Sequence, residues 1–513
     1  MKALKEEIAR VLSGASGTEV GVCDVVSSPV ADLGSPIAFK LGKVGRADPR
    51  VIASDIVSKI KCRGLISSVV SDGGYVNFFL DYKKLTELVF EDCFFPRKNV
   101  RVVLEHTSVN PTGPLHVGRI RNSLIGDSLK RIMSFVGYDV ETHYYVNDVG
   151  RQVVLISQGL EKKLAANEKL VERYSTYSKR GDYMVFFVYV EANRLSESDD
   201  AFMDDVTGLI RRAESGDDKV LDLIKSTAKT ALEGQMETFN RLGIVFDVFD
   251  FESECLRDNS VEEVMTKVRD SGFYVKSDVG EGVDLSSFGV EKGAGFTVLA
   301  RADGTSVYLS RDLAYHLKKL GWGERVINVL GEDHKLQFKE LSTILREVLG
   351  VDRDVEVVHF SFVNFEGTKF STRKGEVATV DELLDESCEN ALAEVRSREL
   401  GDEDTARMVG VGAVKFHIVK TTPNKPITFS FSDALNFDGE TAPYIQYAHA
   451  RSCRILEKAG DFKADVDFQV SDKDEKELIF RLLEFEDVIC EAARQLRPDL
   501  VATYLISLTS SYG

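Results

Sequence analysis

The chain has 513 residues, 43% of them hydrophobic, and a formal net charge of −18 from 65 Lys and Arg against 83 Asp and Glu. This length predicts roughly three or four domains, and the acidic balance argues against a protein held on nucleic acid by bulk positive charge. No run approaches the roughly 18 apolar residues of a membrane span, the N-terminus lacks the apolar core of a secretory signal, and the seven cysteines form no C-x-x-C pair. We therefore expect a cytoplasmic protein with reduced thiols and no zinc knuckle, disulfide framework or membrane segment.

Residues 1–95 are expected to form a separate small α/β domain. An amphipathic helix at the N-terminus is followed, later in the segment, by a glycine turn and the apolar strand Y-V-N-F-F-L. Tyr75 and Asn77 face one side of that strand, where a ring and an amide can stack on and hydrogen-bond an unpaired RNA base. The alternative is that both side chains pack within the domain. With 14 basic and 12 acidic side chains, residues 1–98 repel a polyanion less than the rest of the chain does.

A strand, a turn and a helix follow one another from Asn99 onward. Branched apolar residues at 100–104 predict the strand, a turn rich in proline and glycine around Gly113 breaks it, and apolar residues recur at helical spacing from His116. Gly137 is expected to end this helix. A unit of this kind opens a nucleotide-binding α/β domain with a parallel sheet.

The start of this helix is predicted to bind phosphate. Its first backbone N–H groups lack helical partners and lie at the positive end of the helix dipole. His116 and Arg119 share a face of the first turn, where both can donate to a phosphate, and Gly118 lets a ligand approach the backbone closely. The alternative is the strand–turn–helix joint of an ordinary α/β domain with a chance histidine.

A second group of polar residues is predicted beyond a helical, acid-rich insertion at about 155–245. The stretch T-S-V-Y-L-S-R-D predicts a strand leading into a helix, with Tyr308 near the strand end and Asp312 in the first helical turn. Ligands of doubly wound sheets bind at the carboxyl ends of the strands, so an acid there can pair with a cationic substrate group. The alternative is that Asp312 only stabilises the helix N-terminus through the helix dipole.

The next predicted strand, which begins near Arg325, ends at Gly331, Asp333 and His334. An acid at the end of such a strand commonly accepts a hydrogen bond from a ribose hydroxyl. This stretch therefore predicts the nucleoside end of a nucleotide site.

A cationic loop follows one further strand. Lys369, Arg373 and Lys374 stand among small residues such as Ser371. Several cations on a flexible loop can close over a triphosphate and stabilise charge that moves onto a leaving pyrophosphate. The alternative is a solvated basic turn.

From about Asp381 to the end, helical periodicity predicts an α-helical bundle. Tyr444 and Tyr447 lie three residues apart on one helix, with basic residues close by. Two such rings can stack on single-stranded bases. The alternative is an aromatic stripe in the core of the bundle.

Taken together, these segments resemble the arginyl-tRNA synthetase family of class I aminoacyl-tRNA synthetases, in a form similar to archaeal members. The stretch E-H-T-S-V-N-P-T-G-P-L-H-V-G-R is similar to the HIGH region of that family. G-T-K-F-S-T-R-K-G-E-V-A-T-V-D-E-L-L-D-E is similar to its KMSKS loop and the following helix, and T-A-P-Y-I-Q-Y-A-H-A-R to the start of its anticodon-binding domain. The resemblance covers the whole chain. It implies an α/β fold with a tRNA-elbow-binding domain at 1–95, a Rossmann-like parallel-sheet catalytic domain at 96–380, and an α-helical anticodon-binding domain at 381–513.

The resemblance implies ATP-dependent activation of L-arginine to arginyl-adenylate and transfer of arginine to tRNA(Arg), with tRNA bound before activation. Mg²⁺ is expected with ATP, without a structural metal, and a monomer is the default. Two acids, Glu105 and Asp312, are expected to hold the guanidinium in a fork and to reject uncharged side chains. The implied residues are Glu105, Asn110, Tyr308 and Asp312 for arginine; Gly113, His116, Gly118, Arg119, Gly331, Asp333, His334 and Ser371 for ATP; His116, Arg119, Lys369, Arg373 and Lys374 for catalysis; and Tyr75, Asn77, Tyr444 and Tyr447 for tRNA.

Three features depart from the family pattern. Arg119 stands at the last position of the HIGH signature, where it keeps a hydrogen-bond donor. Thr372 stands where the second lysine of KMSKS is expected, which leaves Arg373 or Lys374 as its substitute. The chain stops at T-S-S-Y-G, so we expect the anticodon-binding domain to be truncated at its C-terminus.

Two other functions stay open at this stage. One is a different class I synthetase, although the set of Glu105, Tyr308 and Asp312 favours a cationic substrate. The other is a non-catalytic tRNA-binding paralogue, against which the intact His116 and the cationic loop argue.

Overall fold

The computed structural model describes residues 1–90, 95–290, 295–365, 378–460, 470 and 472–513. Contacts within the chain divide it into two units. The first comprises Met1–Phe94, Tyr447–Ala492 and Thr503–Gly513, and the second Phe95–Gln446 and Ala493–Ala502.

The N-terminal part of the first unit is an antiparallel sheet with helices packed against it. The strand order is β1-β2-β4-β3, and every neighbouring pair is antiparallel. Leu4, Ile8 and Leu12 recur at helical spacing on α1 and are buried in the core of this part. In chain order the elements are α1 (Lys2–Ser16), β1 (Val26–Ser27), β2 (Leu33–Ser35), α2 (Ile37–Gly45), α3 (Pro49–Lys59), β3 (Ile66–Asp72), β4 (Tyr75–Leu80) and α4 (Tyr82–Val89).

The second unit contains the elements from β5 to α17. The first half of these are β5 (Arg101–Thr107), α5 (Arg121–Phe135), β6 (Asp139–Val146), α6 (Arg151–Glu161), α7 (Glu168–Arg173), α8 (Gly181–Ser196), α9 (Asp200–Glu214), α10 (Asp218–Arg241), β7 (Val248–Phe251), α11 (Ser253–Arg257) and α12 (Ser260–Arg269). The second half are β8 (Tyr274–Ser277), β9 (Gly280–Val283), β10 (Thr297–Arg301), α13 (Tyr308–Trp322), β11 (Arg325–Gly331), α14 (Lys335–Thr343), β12 (Glu356–Phe360), β13 (Val363–Phe365), α15 (Val380–Ser397), α16 (Glu403–Val419), β14 (Ile427–Phe429) and α17 (Phe431–Ala434).

Five strands of the second unit form one parallel sheet in the order β12-β11-β5-β6-β7. Strand order reverses between β5 and β11, which creates a topological switch point beside β5. Residues 102–104 of β5 are fully buried, as expected for a central parallel strand covered on both faces. Asn328 of β11 pairs in register with Glu105 of β5, so both residues belong to the switch point. The predicted parallel-sheet fold is confirmed.

Helices α6 to α10 lie between β6 and β7 in the chain. Apolar residues of α6, α9 and α10 share one large core with residues of β6, α15 and α16. This core therefore joins the helices after β6 to the helices that follow residue 380.

The sequence prediction of a strand that runs directly into Tyr308 is wrong. The strand before α13 is β10, which belongs to a separate antiparallel sheet in the order β10-β9-β8. Gly304, with φ of +84°, reverses the chain after β10, and Ser306 forms only an isolated bridge with Ala300. Tyr308 and Asp312 therefore reach the sheet from the start of a helix and not from a strand end.

Among the described residues of the C-terminal region, all elements are helices except β14, which pairs in parallel with β13. Its remaining helices are α18 (Ala442–Ala459), α19 (Lys473–Leu483), α20 (Phe485–Gln495) and α21 (Asp499–Tyr512). None of the described helices has the combined length and apolar composition that crossing a bilayer requires.

Candidate active site

A cavity of about 1140 Å³ opens beside the switch point of the parallel sheet. The loop after β5, the start of α13 and the turn after β11 supply most of its wall. Ten residues that the sequence predicts for substrate binding line it: Glu105, Asn110, Gly113, His116, Arg119, Tyr308, Asp312, Gly331, Asp333 and His334.

His116 is held by its neighbours in a defined tautomer. It precedes a short 3₁₀ turn, and its backbone forms an antiparallel bridge with Thr379. The Gly118 N–H donates to His116 Nδ1 at 2.9 Å, so the neutral ring carries its proton on Nε2. Burial, and to a smaller extent the charge of Arg119, lowers the pKa of His116. A neutral imidazole with Nε2–H can donate one hydrogen bond to a phosphate oxygen.

Arg119 and Asp333 face each other across the mouth of the cavity. Arg119 lies over the Phe362 ring, 5.4 Å from its centroid, and its Nη1 is 3.9 Å from Asp333 Oδ2. Both side chains are about half exposed, so water screens the pair and a ligand can replace either partner. A Cβ on Gly331 would lie 2.3 Å from Asp333 Oδ1, so a side chain there would displace this carboxylate.

Side-chain amides, of which Gln235 is fully buried, fix the loop after β5. Gln235 of α10 donates to the carbonyl oxygens of Asn110 at 3.3 Å and Gly113 at 2.8 Å. The Asn110 amide donates to Gln152 Oε1 at 3.1 Å, and Gln152 donates to the Tyr189 hydroxyl at 3.0 Å. The backbone that lines the cavity is thus preorganised by side chains of α6, α8 and α10.

A buried lysine that the sequence analysis missed stands behind the cavity wall. Lys319 of α13 is fully buried and forms an ion pair with Glu105. Its ammonium also donates to Asn328 Oδ1 at 2.9 Å and to His316 Nε2 at 3.1 Å. The charge of Glu105 is therefore already compensated by Lys319. The expectation that Glu105 and Asp312 together hold the guanidinium did not include this pairing. The sequence carries no signal for this lysine, because helical periodicity does not distinguish a buried lysine from an exposed one.

Asp312 keeps its negative charge in the cavity wall. Its carboxylate and its backbone carbonyl both accept from His316 Nδ1, at 3.0 and 2.8 Å. Burial acts to raise the pKa of Asp312, but His316 and the Lys319 ammonium together lower it below its ordinary value. An ionised carboxylate is the group that a permanently charged guanidinium pairs with best.

Glu252, which the sequence analysis also missed, adds a further carboxyl group to the wall. Its Oε1 accepts from Arg311 Nε, whereas its buried Oε2 has no hydrogen-bond partner among the described residues. Arg311 also donates to Glu214 at 3.0 Å, so Glu252 shares this guanidinium with a second carboxyl group. Burial is the main reason that the pKa of Glu252 is raised. Its position directly after strand β7 is the signal that could have identified it, because ligands bind at the carboxyl ends of the strands.

Asn147 contributes a further acceptor at the carboxyl end of β6. Its Oδ1 is buried without a hydrogen-bond partner among the described residues, and the residue lines the cavity. A Cβ built on Gly150 would lie 3.0 Å from this oxygen and 3.7 Å from the Tyr308 hydroxyl, so both polar atoms adjoin Gly150. The cavity thus has an acceptor-rich end and, around His116 and Arg119, a donor-rich end.

The remaining predicted residues lie elsewhere. Tyr75 is 44% exposed and packs edge-on against Phe39. Asn77 is only 2% exposed and accepts from Ser28 Oγ at 2.8 Å, so the expectation that it faces RNA is contradicted by the loop that covers it.

Tyr444 is half-buried and Tyr447 is half exposed on α18. The cationic-loop residues Lys369, Ser371, Thr372, Arg373 and Lys374 lie outside the described residues. Among the residues that are described, no three or more His, Cys, Asp or Glu side chains converge on a point where a metal ion could bind.

Comparison with known proteins assigns each part of the chain to a family. Residues 54–431 match the family model "tRNA synthetases class I (R), catalytic domain", residues 445–513 match "DALR anticodon binding domain", and residues 2–80 match "Arginyl tRNA synthetase N terminal domain". The arginine–tRNA ligase of Methanocella arvoryzae is 37% identical over 526 residues, covering 99% of this chain and 91% of that protein. The arginine–tRNA ligase of Methanothermobacter thermautotrophicus is 40% identical over 497 residues, covering 94% and 86%. The solved structure of Thermus thermophilus arginyl-tRNA synthetase matches with a TM-score of 0.79 at 27% identity, covering 99% of this chain and 91% of that one.

Proposed function

Because the chain belongs to the arginyl-tRNA synthetase family of class I aminoacyl-tRNA synthetases, we propose that its cavity activates L-arginine with ATP, releasing pyrophosphate, and passes the activated arginine to tRNA(Arg). The observation that carries this proposal is the polarity of the cavity. Carboxylate and amide oxygens crowd the end between α13 and the carboxyl ends of β6 and β7, whereas His116 and Arg119 supply donors at the other end.

The acceptor-rich end suits the guanidinium of arginine. A guanidinium has five N–H donors, accepts nothing and cannot lose its charge in a protein. We assign its binding to Asp312 and Tyr308, with Glu252 and Asn147 as further acceptors. The oxygens of Glu252 and Asn147 that lack a donor within the described part of the chain support this, since a buried acceptor without a donor is costly until a ligand supplies one.

Two other predicted residues line the same part of the cavity. Asn110 lies on the loop after β5, and Glu105 stands beside Asn328 with its charge compensated by Lys319. We assign both to the α-amino and α-carboxylate groups of arginine. Asp312 and Glu252 are then the acidic residues beside the guanidinium.

The donor-rich end suits ATP. We assign His116, Gly118 and Arg119 to the phosphates, and Gly331, Asp333 and His334 to the ribose and adenine, with Gly113 beside them. The neutral His116 donates from Nε2, and Arg119 adds a permanent positive charge that pairs with phosphate. Lys369, Ser371, Arg373 and Lys374 are proposed to serve the same phosphates from the cationic loop.

The chemistry needs no protein nucleophile. A carboxylate oxygen of arginine attacks the α-phosphorus in line, the bond to the bridging oxygen of the β-phosphate breaks, and pyrophosphate leaves. A ribose hydroxyl at the 3′ end of tRNA then attacks the arginyl carbonyl, and AMP leaves. The chain contributes positioning and stabilisation of the charge that develops on the phosphates. Mg²⁺ accompanies ATP as part of the nucleotide substrate.

The finer organisation is proposed on the same family basis. Residues 1–95 contact the tRNA elbow, with Tyr75 as an exposed aromatic, and residues 381–513 contact the anticodon, with Tyr444 and Tyr447 on α18. The catalytic domain occupies 96–380 with its helical insertion at about 155–245. We propose that the protein acts as a monomer in the cytoplasm.

The test is charging of a tRNA(Arg) transcript with labelled arginine, ATP and Mg²⁺, beside pyrophosphate exchange with and without tRNA. We expect charging, and exchange only when tRNA is present. Asp312→Asn and Glu252→Gln are expected to lower kcat/KM for arginine by about 30-fold or more, because removing one partner of a buried charge pair costs about 2–5 kcal/mol. The KM for ATP should stay within about twofold.

Glu356→Gln is the matched control for these variants. It also neutralises one acid of an ion pair, with Arg325, but lies at the opposite end of the parallel sheet from the cavity. Normal arginine kinetics in both Asp312→Asn and Glu252→Gln would show that the guanidinium binds elsewhere. Binding of tRNA without any charging by the unmodified chain would favour a non-catalytic tRNA-binding protein.

A further inference from the structure

The segment that leads into α15 is tied to the backbone on both sides of His116. The Val117 N–H donates to the Ala378 carbonyl at 3.1 Å, and the Val380 N–H donates to the Leu115 carbonyl at 2.8 Å. Thr379 forms the antiparallel bridge with His116 between these two bonds. The position of the start of α15 therefore determines the position of the His116 backbone.

The first turn of α15 is fixed by a buried carboxylate. Asp381 is fully buried and does not line the cavity. Its Oδ1 accepts from Arg241 Nη1 at 2.8 Å, and its Oδ2 lies 3.1 Å from Arg180 Nη1. Thr238 Oγ1 donates to the same carboxylate at 2.9 Å, and the Tyr183 hydroxyl donates at 3.3 Å. All four partners belong to α8, α10 or the residue before α8, in the helices between β6 and β7.

The two arginines are themselves held in place. Arg180 Nη2 donates to Asp182 Oδ2 and to the Gly234 carbonyl, both at 2.7 Å, which joins α8 to α10. Arg241 Nη2 donates to Asp385 at 2.6 Å, one turn further along α15. Each guanidinium thus bridges two groups, and its planar fork fixes direction as well as distance.

We propose that Asp381, clamped between Arg180 and Arg241, is a positioning residue for His116. The helices inserted between β6 and β7 hold the start of α15, and the start of α15 holds the HIGH backbone at the distance that in-line attack on ATP requires. Displacing a reacting group by about 1 Å can cost about 100-fold in rate without any change in the groups that touch substrate. This inference rests on the proposed role of His116 in ATP binding.

The test compares Asp381→Asn with unmodified protein in tRNA-dependent pyrophosphate exchange. Asparagine has nearly the same shape but no charge, so it releases the arginines without opening a cavity. We expect kcat/KM for ATP to fall about 10- to 100-fold, while the KM for arginine changes less than about twofold. Arg241→Lys keeps the charge but cannot bridge Asp381 and Asp385, so it should give a smaller loss of kcat/KM for ATP. If Asp381→Asn does not fold, Arg241→Lys is measured in its place.

Arg325→Gln is the control for a purely structural ion pair. Arg325 forms a two-point pair with Glu356 at 2.7 and 2.8 Å, but at the opposite end of the sheet from His116. It should lower the melting temperature and leave both KM values unchanged. If Asp381→Asn behaves in the same way, the cluster is structural and the proposal is overturned.

His116→Asn separates this inference from the function on which it rests. A large loss of kcat/KM for ATP in His116→Asn, with none in Asp381→Asn or Arg241→Lys, would reject only the positioning role. No loss in His116→Asn would reject the assignment of His116 to ATP, and with it the reason for the clamp.

Discussion

His106, which neighbours Glu105 on β5, is expected to make the stability of the folded chain depend on pH. It is almost fully buried on β5, its Nδ1 shares a hydrogen bond of 2.9 Å with Thr107 Oγ1, and its ring stacks on Phe246. Its Nε2 has no hydrogen-bond partner among the described residues. Burial is the main cause that lowers the pKa of His106 to about 3.

Stability is therefore expected to fall as pH is lowered from about 6.5. In that range the unfolded chain binds a proton at this position and the folded chain does not, so protonation favours unfolding. At pH 5 the single group accounts for about 2 kcal/mol, taking an unfolded pKa of about 6.5. Urea unfolding at pH 7, 6 and 5 measures this, and in His106→Gln the difference between pH 7 and pH 5 should shrink by about that amount. Equal pH dependence in both proteins would contradict it.

Single side chains also explain why the cavity has an acceptor-rich end and a donor-rich end. The carboxylate of Glu105 is already paired with Lys319, whereas Glu252 and Asn147 each present a buried oxygen without a partner among the described residues. The unmatched oxygens are what a guanidinium satisfies, so selectivity for arginine belongs to single atoms at this end.

At the scale of elements, the packing of α5 on β5 depends on a close approach at Gly126. A Cβ built on Gly126 would lie 2.0 Å from the His106 ring and 2.1 Å from its Cβ. The helix that follows the HIGH segment can therefore approach the central strand only where a side chain is missing.

Two glycine-to-alanine variants test this packing. Alanine normally stabilises a helix interior by about 1 kcal/mol relative to glycine, and Gly208→Ala in α9 should show such a gain because no atom of the described residues lies within 4 Å of its built Cβ. Gly126→Ala should instead destabilise by about 1–3 kcal/mol, since overpacking against His106 outweighs propensity. Chemical denaturation of both variants checks the opposite signs, and stabilisation by Gly126→Ala would refute the close packing.

The core of the first unit contains residues from both the N-terminal and the C-terminal part of the chain. Ile479 of α19 is buried in the cluster that contains Leu4, Ile8 and Val76. Phe480 packs edge-on against Tyr82, 6.0 Å between ring centroids. The N-terminal sheet and α19 therefore stabilise each other.

Ile479→Ala is expected to destabilise the N-terminal sheet by about 2–4 kcal/mol, through lost burial and the cavity left behind. Hydrogen exchange of the β4 amides measures this directly, because β4 lies about 400 residues away from α19 in sequence and contributes Val76 and Phe78 to the core that buries Ile479. Leu482→Ala on the same helix is the control, since Leu482 is 37% exposed and its loss should leave β4 protection unchanged. Unchanged β4 protection in Ile479→Ala would show that the N-terminal sheet folds independently of α19.

Much of the second unit could be predicted from the sequence, because its signals are local. The apolar run of β5, the proline- and glycine-rich turn and the helical spacing after His116 each depend on a few adjacent residues. Strand ends of a parallel sheet meet at one edge, which is why ten separately predicted residues line a single cavity. The motif order also identified the family, which the comparisons confirm.

Ion pairs and hydrogen bonds between residues far apart in sequence became known only from the tertiary structure. Lys319 is paired with Glu105, Asp381 is held by Arg180 and Arg241, and Asn77 is covered by the loop at Ser28. A charged or polar residue has the same local pattern whether it is solvated or buried, so its state depends on which distant group the fold brings against it. The sequence by itself thus determined the fold class, the family and the edge of the sheet where the site lies. The tertiary structure decided which side chains there are already neutralised and which are left to receive a substrate.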